Sequence, residues 1–318
     1  LPLQHKVQGS DDAQSHMPVL LVPSVTTASH ADDADEEDFR IAARASRAWG
    51  RFRQAAVSSF AFVEAAGPAY GWKLVKDGLG IGAEAPGPQP APQVEGGLTA
   101  DQKADTAAAV LRAMSLTQGH ARLILLVGHG AHVTNNPHES AYRCGACAGQ
   151  SGEVSARVLA TLLNDPETRA GLPARGITLP EDTLFLAGLH DTVSDAVTLY
   201  ADGESAAHKS EVAQARRWLK AAGAQARAER ALRLPGATAE TVAERALNWA
   251  EVRPEWGLAG CAGFIAAPRG VTAGANLAGR TFLHNYDWRA DEGFATLELI
   301  LTAPVVVASW INLQYYGS

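Results

Sequence analysis

The sequence predicts an α/β fold in which a mostly parallel sheet is flanked by helices. Three observations carry that expectation. Two short, continuous apolar runs, Arg122 to Val127 and Thr183 to Leu189, have the length and composition of strands buried on both faces. Between them Val154, Val158 and Leu162 recur at helical spacing. The order strand, loop, helix, strand is a βαβ unit, whose strands run parallel through a right-handed crossover.

Taken from the N-terminus, residues 1–37 hold a polar lead, one apolar run (Pro18 to Val25) and an acidic patch, Asp32 to Asp38, which is read as a solvated loop. From Asp38 onward Ile41, Ala45, Trp49, Phe52, Ala56, Phe60 and Val63 recur at steps of three or four, the period of an amphipathic helix ending near Gly67-Pro68. The prolines at 86, 88, 90 and 92 cannot continue a helix or a central strand, because each removes a donor and fixes φ. The chain is therefore expected to divide into a mainly helical segment (1–83), a Pro/Gly-rich linker or loop (84–97) and an α/β core (98–318).

Thr99 with Gln102 forms a capping-box pattern and opens an Ala-rich helix reaching about Leu116. Asp165-Pro166 marks a further helix start, with proline at the first helical position. Two more helices fit Glu211 to Leu232 and Ala239 to Ala250, and Gly260 to Ala267 reads as another interior strand. The last stretch, Leu299 to Ser318, carries no formal charge and approaches the ~20 residues of a bilayer helix. Pro304, Asn312 and Gln314 interrupt it and Glu298 stands at its edge, so it is expected to be a buried core element rather than a span.

Composition narrows the function. Of 318 residues, 27 are Lys or Arg and 34 are Asp or Glu, a formal charge of −7 that offers no global basic field for nucleic acid. Three cysteines, Cys144, Cys147 and Cys261, are too few and too uneven for a disulfide framework, and they point to a reducing compartment. No charged segment leading into an apolar core follows Leu1, so no signal peptide is expected; the missing start Met is what a trimmed or partial chain would show.

Ligands of parallel sheets bind beyond the carboxyl ends of the strands. His129, in Gly128-His129-Gly130, and His190-Asp191 both fall at such ends. The loop after the first strand holds His129, His132, His138, Glu139, Cys144 and Cys147, a dense set of zinc-type donors. His129 with Cys144 can supply half a tetrahedral site, whereas His132 and His138 also read as solvent-facing loop residues. Cys144-Gly-Ala-Cys147 has the spacing of a dithiol redox pair as well. Phosphate-loop and nucleophile-elbow patterns fail, since Gly145, Gly149 and Gly152 match neither glycine signature and Gln150-Ser151-Gly152 does not complete G-x-S-x-G. His190-Asp191-Thr192 fits an orienting carboxylate, a general base or simple capping. His284 to Arg289 reads either as a site wall or as a polar turn with a packed Trp288. Cys261 reads as a small buried side chain.

The loop GHGAHVTNNPHESAYRCGACAGQSGEVSARVLATLLND, the later FLAGLHDTVSD, and the run EVRPEWGLAGCAGFIAAPR through FLHNYDWRADEGFATLELILTAPVVVASWINLQYYGS resemble the DabA family. That family comprises the large soluble subunits of bacterial inorganic-carbon pumps. The resemblance implies a core similar to β-carbonic anhydrase with additional helical segments. It implies Zn2+ held by His129 and Cys144, and by a Cys-x-Asp pair upstream. No cysteine precedes Cys144, so those two ligands, and an associated catalytic Asp-Arg pair, are expected in polypeptide upstream of Leu1. The chain would then be an internal or C-terminal portion of a longer protein. The implied activity is zinc-dependent hydration of CO2 to bicarbonate, coupled to an ion gradient through a proton-translocating, antiporter-like membrane subunit of the DabB type. The implied location is peripheral, on the cytoplasmic face of the bacterial inner membrane. Two other readings remain: a non-catalytic, zinc-stabilised assembly module, and a dithiol oxidoreductase built on Cys144 and Cys147.

Overall fold

A computed structural model describes residues 3–7, 25–29, 92–95, 98–133, 142–143, 151–200, 206–232, 234–247 and 261–317, together with 41, 44, 45, 48, 67–72, 75 and 76. It is an α/β structure with three small sheets among the described residues. The first sheet joins β1 (Leu3–Val7), β2 (Val25–Ser29) and β3 (Pro92–Glu95), with β1 parallel and β3 antiparallel to β2. Strand β3 falls inside the segment read from sequence as a linker, and Pro92 occupies its first position, where a missing N–H is tolerated. The two other strands lie in the segment expected to be mainly helical, although every described residue from 41 to 76 is helical.

The central sheet holds the core. Helix α1 (Ala100–Ala113) starts at the predicted capping box: the Thr99 hydroxyl accepts from the Gln102 N–H, and the Gln102 side chain accepts from the Thr99 N–H. Strand β4 (Leu123–Gly130) is followed by α2 (Glu153–Asn164) and by α3 (Pro166–Gly171), which Asp165 caps from Thr168. Strand β5 (Leu184–Asp191) then pairs parallel with β4, His129 opposite His190 in register. The short β6 (Ala196–Leu199) returns antiparallel along Gly188–Asp191. The expected parallel pair is present, but the sheet around it is mixed.

Side chains alternate across the sheet, and each face receives helices. On one face Leu126, Phe185, Ala187 and Leu189 meet Ala107 and Leu111 of α1 and Ala156, Ala160 and Leu163 of α2. On the other, Leu186, Leu199 and the partly buried Leu123, Leu125 and Val197 meet Val212, Ala215 and Leu219 of α4 (Lys209–Ala231). Because β6 covers only the end of β5, Phe185 is left beyond it. Asn164 completes that edge, donating to the Phe185 carbonyl at 2.7 Å and accepting from its N–H at 3.0 Å. The pair locks the end of α2 onto the strand.

Helix α5 (Thr241–Leu247) precedes a two-stranded parallel sheet of β7 (Gly263–Ala267) and β8 (Thr281–Asn285). Helices α6 (Ala295–Thr302) and α7 (Pro304–Gly317) follow. The interior packing expected of this C-terminal stretch is not what the structure shows. Ile300 is buried, yet Leu301, Val306, Trp310 and Leu313 are all more than half exposed. Trp288, a packed ring in one of the two readings of its turn, is also exposed and stacks under the Arg289 guanidinium. Cys261 is half-buried rather than interior, and burial pushes its thiol pKa up.

Candidate functional site

The carboxyl ends of β4 and β5 gather the chemistry. His129 lies within β4, one residue from its end, and not in the loop after it. The segment entering α2 passes so close that a Cβ on Gly128 would sit 2.4 Å from the Gly152 carbonyl oxygen, so only glycine fits there. Gly152 N–H donates to the His129 carbonyl at 2.8 Å, which pins the N-terminus of α2 against this strand end. The His129 ring nitrogen Nε2 is buried and has no hydrogen-bond partner among the described residues. An unpaired polar nitrogen in that position costs free energy on the order of 1–3 kcal/mol unless a ligand satisfies it.

Beside it stand two histidines, each held by a carboxylate. His132 Nδ1 donates to Asp191 Oδ2 at 3.1 Å, leaving Nε2 without that duty. The hydrogen bond to Asp191 raises the His132 pKa against the opposing effect of partial burial. Burial pushes the Asp191 carboxyl up, but hydrogen bonds from His132, from the Val193 N–H and from Ser194 outweigh it, and its pKa is lowered. His190 Nε2 donates to Asp195 Oδ1 at 3.0 Å, and Arg230 of α4 donates to the same oxygen at 3.1 Å. Asp191 therefore serves His132 and the turn after β5, while its sequence neighbour His190 takes a different carboxylate.

The polypeptide just before Cys144 is tied to this place. Thr192 Oγ1 shares its one proton between the carbonyls of Gly130 (3.2 Å) and Tyr142 (3.0 Å), and Arg143 Nε donates to the Ala131 carbonyl at 3.4 Å. Tyr142, Ala131 and Val193 pack together as a small buried cluster. Cys144, Cys147, His138 and Glu139 lie outside the described residues. Among the described residues no three His, Cys, Asp or Glu side chains converge as a metal site.

Sequence reasoning found His129 and His190 but missed Asp195 and Arg230. The second aspartate of FLAGLHDTVSD was on view. Arg230 had a signal too: Val212, Ala215, Leu219 and Gly223 mark a stripe of α4 at helical spacing, and Arg230 continues it. A charge on a buried stripe asks for a partner.

The architecture and site define a class: an α/β protein with histidines gathered at the carboxyl ends of adjacent parallel strands. The comparisons then give the family. The model described as "Probable inorganic carbon transporter subunit DabA" matches residues 1–318, and the chain belongs to the DabA family. Among curated relatives, the protein of that description from Xanthomonas euvesicatoria pv. vesicatoria is 60% identical over 324 residues, covering 100% of this chain and 40% of the relative. The Azorhizobium caulinodans relative is also 60% identical with the same coverage, and one from Rhodopseudomonas palustris is 58% identical. The chain thus spans about 40% of the length of these relatives. No solved structure matches, so likeness to a β-carbonic anhydrase core has no structural neighbour behind it.

Proposed function

We propose that this chain is the portion of an inorganic carbon transporter subunit that supplies His129 and Cys144 as two of four zinc ligands. The other two come from the remainder of the longer protein. In the whole protein the site hydrates CO2 to bicarbonate, and a membrane subunit of the proton-translocating, antiporter-like DabB type couples that reaction to an ion gradient. The protein works as a peripheral component on the cytoplasmic face of the bacterial inner membrane.

One observation carries the reading: the buried Nε2 of His129 at the end of β4, which has no hydrogen-bond partner among the described residues. A neutral imidazole nitrogen withheld from protein partners is the form in which histidine binds zinc. When bound, zinc supplies the Lewis acidity that lets water add to CO2 near neutral pH. This chain's contribution is positional. Gly128 admits the start of α2, and Thr192 and Arg143 fasten the residues preceding Cys144 beside Gly130 and Ala131. The membrane partner is supported by the apolar segment Glu292–Trp310, which is long and apolar enough to cross a membrane by length and composition, with a mean hydropathy of 1.6. Its exposed Trp310, Val306 and Leu301 offer a surface for an apolar neighbour.

The test uses the full-length protein purified with its membrane partner. His129→Ala and Cys144→Ala are each expected to lower zinc content and abolish CO2 hydration while the complex stays assembled. Undiminished zinc in both variants would overturn the assignment.

A further inference from the structure

Beside β6 lies a groove that the reading above does not use. Its volume is about 470 Å³, and it is lined by Ala196 to Leu199, the whole of β6, and by Asp195, Arg216, Leu219, Lys220 and Arg227. Three of these side chains are cations. The one carboxylate among them, Asp195, is already held by His190 and Arg230. Glu240 acts on Arg227 only through space, and its own carboxyl is lowered chiefly by a hydrogen bond from Thr238. The imbalance belongs to the helix. From Val212 to Ala228, α4 carries Arg216, Arg217, Lys220 and Arg227 with no Asp or Glu, in a chain whose formal charge is −7. Arg216, Lys220 and Arg227 stand at i, i+4 and i+11, which puts them on one stripe of the helix about 16 Å long. Arg227 Nη1 donates to the Ser194 carbonyl at 2.8 Å, fixing its guanidinium at the Asp195 end of the groove.

The strand beside that stripe is an open edge. In the sheet order β4-β5-β6, no strand lies beyond β6 among the described residues. The Tyr200 N–H donates to the Ala187 carbonyl at 3.0 Å, so antiparallel alternation turns the Thr198 N–H toward β5 and those of Val197 and Leu199 outward. Edge strands are ordinarily blunted by a charge, a proline or a bulge, and Ala-Val-Thr-Leu has neither charge nor proline. Val197 and Leu199 face α4. In a strand added beside β6, alternate side chains point the same way, toward the cations. Five extended residues span about 17 Å, the length of the stripe, and set three alternate side chains along it.

We propose that this groove receives an extended acidic segment of the transporter's other subunit, which pairs with the open edge of β6 and sets carboxylates at alternate positions against Arg216, Lys220 and Arg227. Backbone hydrogen bonds supply affinity, and the charge pattern selects the segment. The inference rests on assembly with a second subunit, which a family of transporter subunits calls for, and not on zinc or hydration.

Carbodiimide treatment of the purified full-length complex joins an amine to a neighbouring carboxylate as an amide. Peptide mass spectrometry is expected to find Lys220 linked to Asp or Glu of the other subunit, and Lys220→Arg should lose that link while the complex stays assembled. Lys220 left unlinked, or linked only within its own subunit, overturns the proposal. A second measurement takes the full-length protein without its partner and the probe peptide Ac-Thr-Glu-Val-Glu-Thr-Glu-Thr-NH2. The peptide should bind, and the Arg216→Gln/Lys220→Gln double variant should lose about tenfold in affinity, as two charge contacts are removed. Of two forms of the peptide N-methylated at one or the other set of alternate residues, one should fail to bind, because only one set of amides faces the edge. Both methylated forms binding like the parent, or a double variant within two-fold of wild type, overturns strand addition at this groove. Zinc content of the double variant is expected at the wild-type level, so failure here leaves the zinc reading standing.

Discussion

The central βαβ unit and the C-terminal helices both carry long apolar stretches of sequence and end in opposite environments. In the first, β4 and β5 are sandwiched: α1 and α2 cover one face and α4 the other, leaving Phe185 with no exposed surface. In the second, α6 and α7 are strongly apolar by composition, yet Leu301, Val306, Trp310 and Leu313 stay more than half exposed among the described residues. Hydrophobicity states that a surface needs cover; it does not state whether the cover lies within the same chain. The first region folds around itself, and the second leaves its apolar face without cover among the described residues.

Truncation inside the sandwich should produce the largest effect. Phe185→Ala removes a fully buried ring against α1 and α2 and is expected to destabilise by about 3–5 kcal/mol, measured as hydrogen exchange of β4 and β5 amides in the full-length protein. A loss under about 1 kcal/mol would mean that the face is not packed as described. Next comes Asn164→Ala, which strands the Phe185 N–H and carbonyl where β6 does not reach. Leaving both unpaired is expected to cost roughly 2–3 kcal/mol. Asn164→Asp should recover part of it, because one carboxylate oxygen can still accept from the Phe185 N–H.

How much of this was legible in the sequence differs by region for a physical reason. The βαβ unit rests on local signals: continuous apolar runs, the Thr99 capping box, the Asp165 cap. All of these reappear in place. Strands β1 to β3 carry no such pattern, and the prolines that argued for a linker permit a strand edge at Pro92. At the site, His129 and His190 were visible because strand ends are. Asp195 and Arg230 each left a local sign, but their meeting was not legible, because it depends on α4 folding back over the β5–β6 turn, a long-range event. The burial expected of Leu299 to Ser318 failed because Pro304, Asn312, Gln314 and Glu298, which argued against a span, do not by themselves supply packing partners for the apolar side chains between them.

A smaller effect distinguishes the two carboxylate-held histidines at the sheet end. His132 has a raised pKa and Asp191 a lowered one, each through their mutual hydrogen bond. The raised histidine contributes stability that is complete below its unfolded value, near ~6.5, and is lost as pH rises through the folded value. The lowered aspartate contributes stability present above its unfolded value, near ~3.9, and lost as pH falls through the folded value. The pair is therefore strongest in weak acid. His132→Gln should flatten the alkaline side of the stability profile by up to about 1 kcal/mol, as expected for a partly exposed pair. A profile unchanged above neutral pH would show that His132 does not carry this charge.

The smallest effect on folding should accompany the plainest effect on association. Trp310 and Leu313 lie three positions apart on α7, 55% and 69% exposed, so replacing both with serine removes little packing from the chain itself. Stability of the β4–β5 core should change by less than about 0.5 kcal/mol, the range of surface substitutions. If the C-terminal face is covered by the membrane partner, the double variant should leave the membrane fraction on sedimentation while keeping its zinc. Retention on the membrane with an unchanged core would place the contact elsewhere. A core destabilised by several kcal/mol would mean that α7 is covered from within the full-length protein, and that the two regions follow the same rule after all.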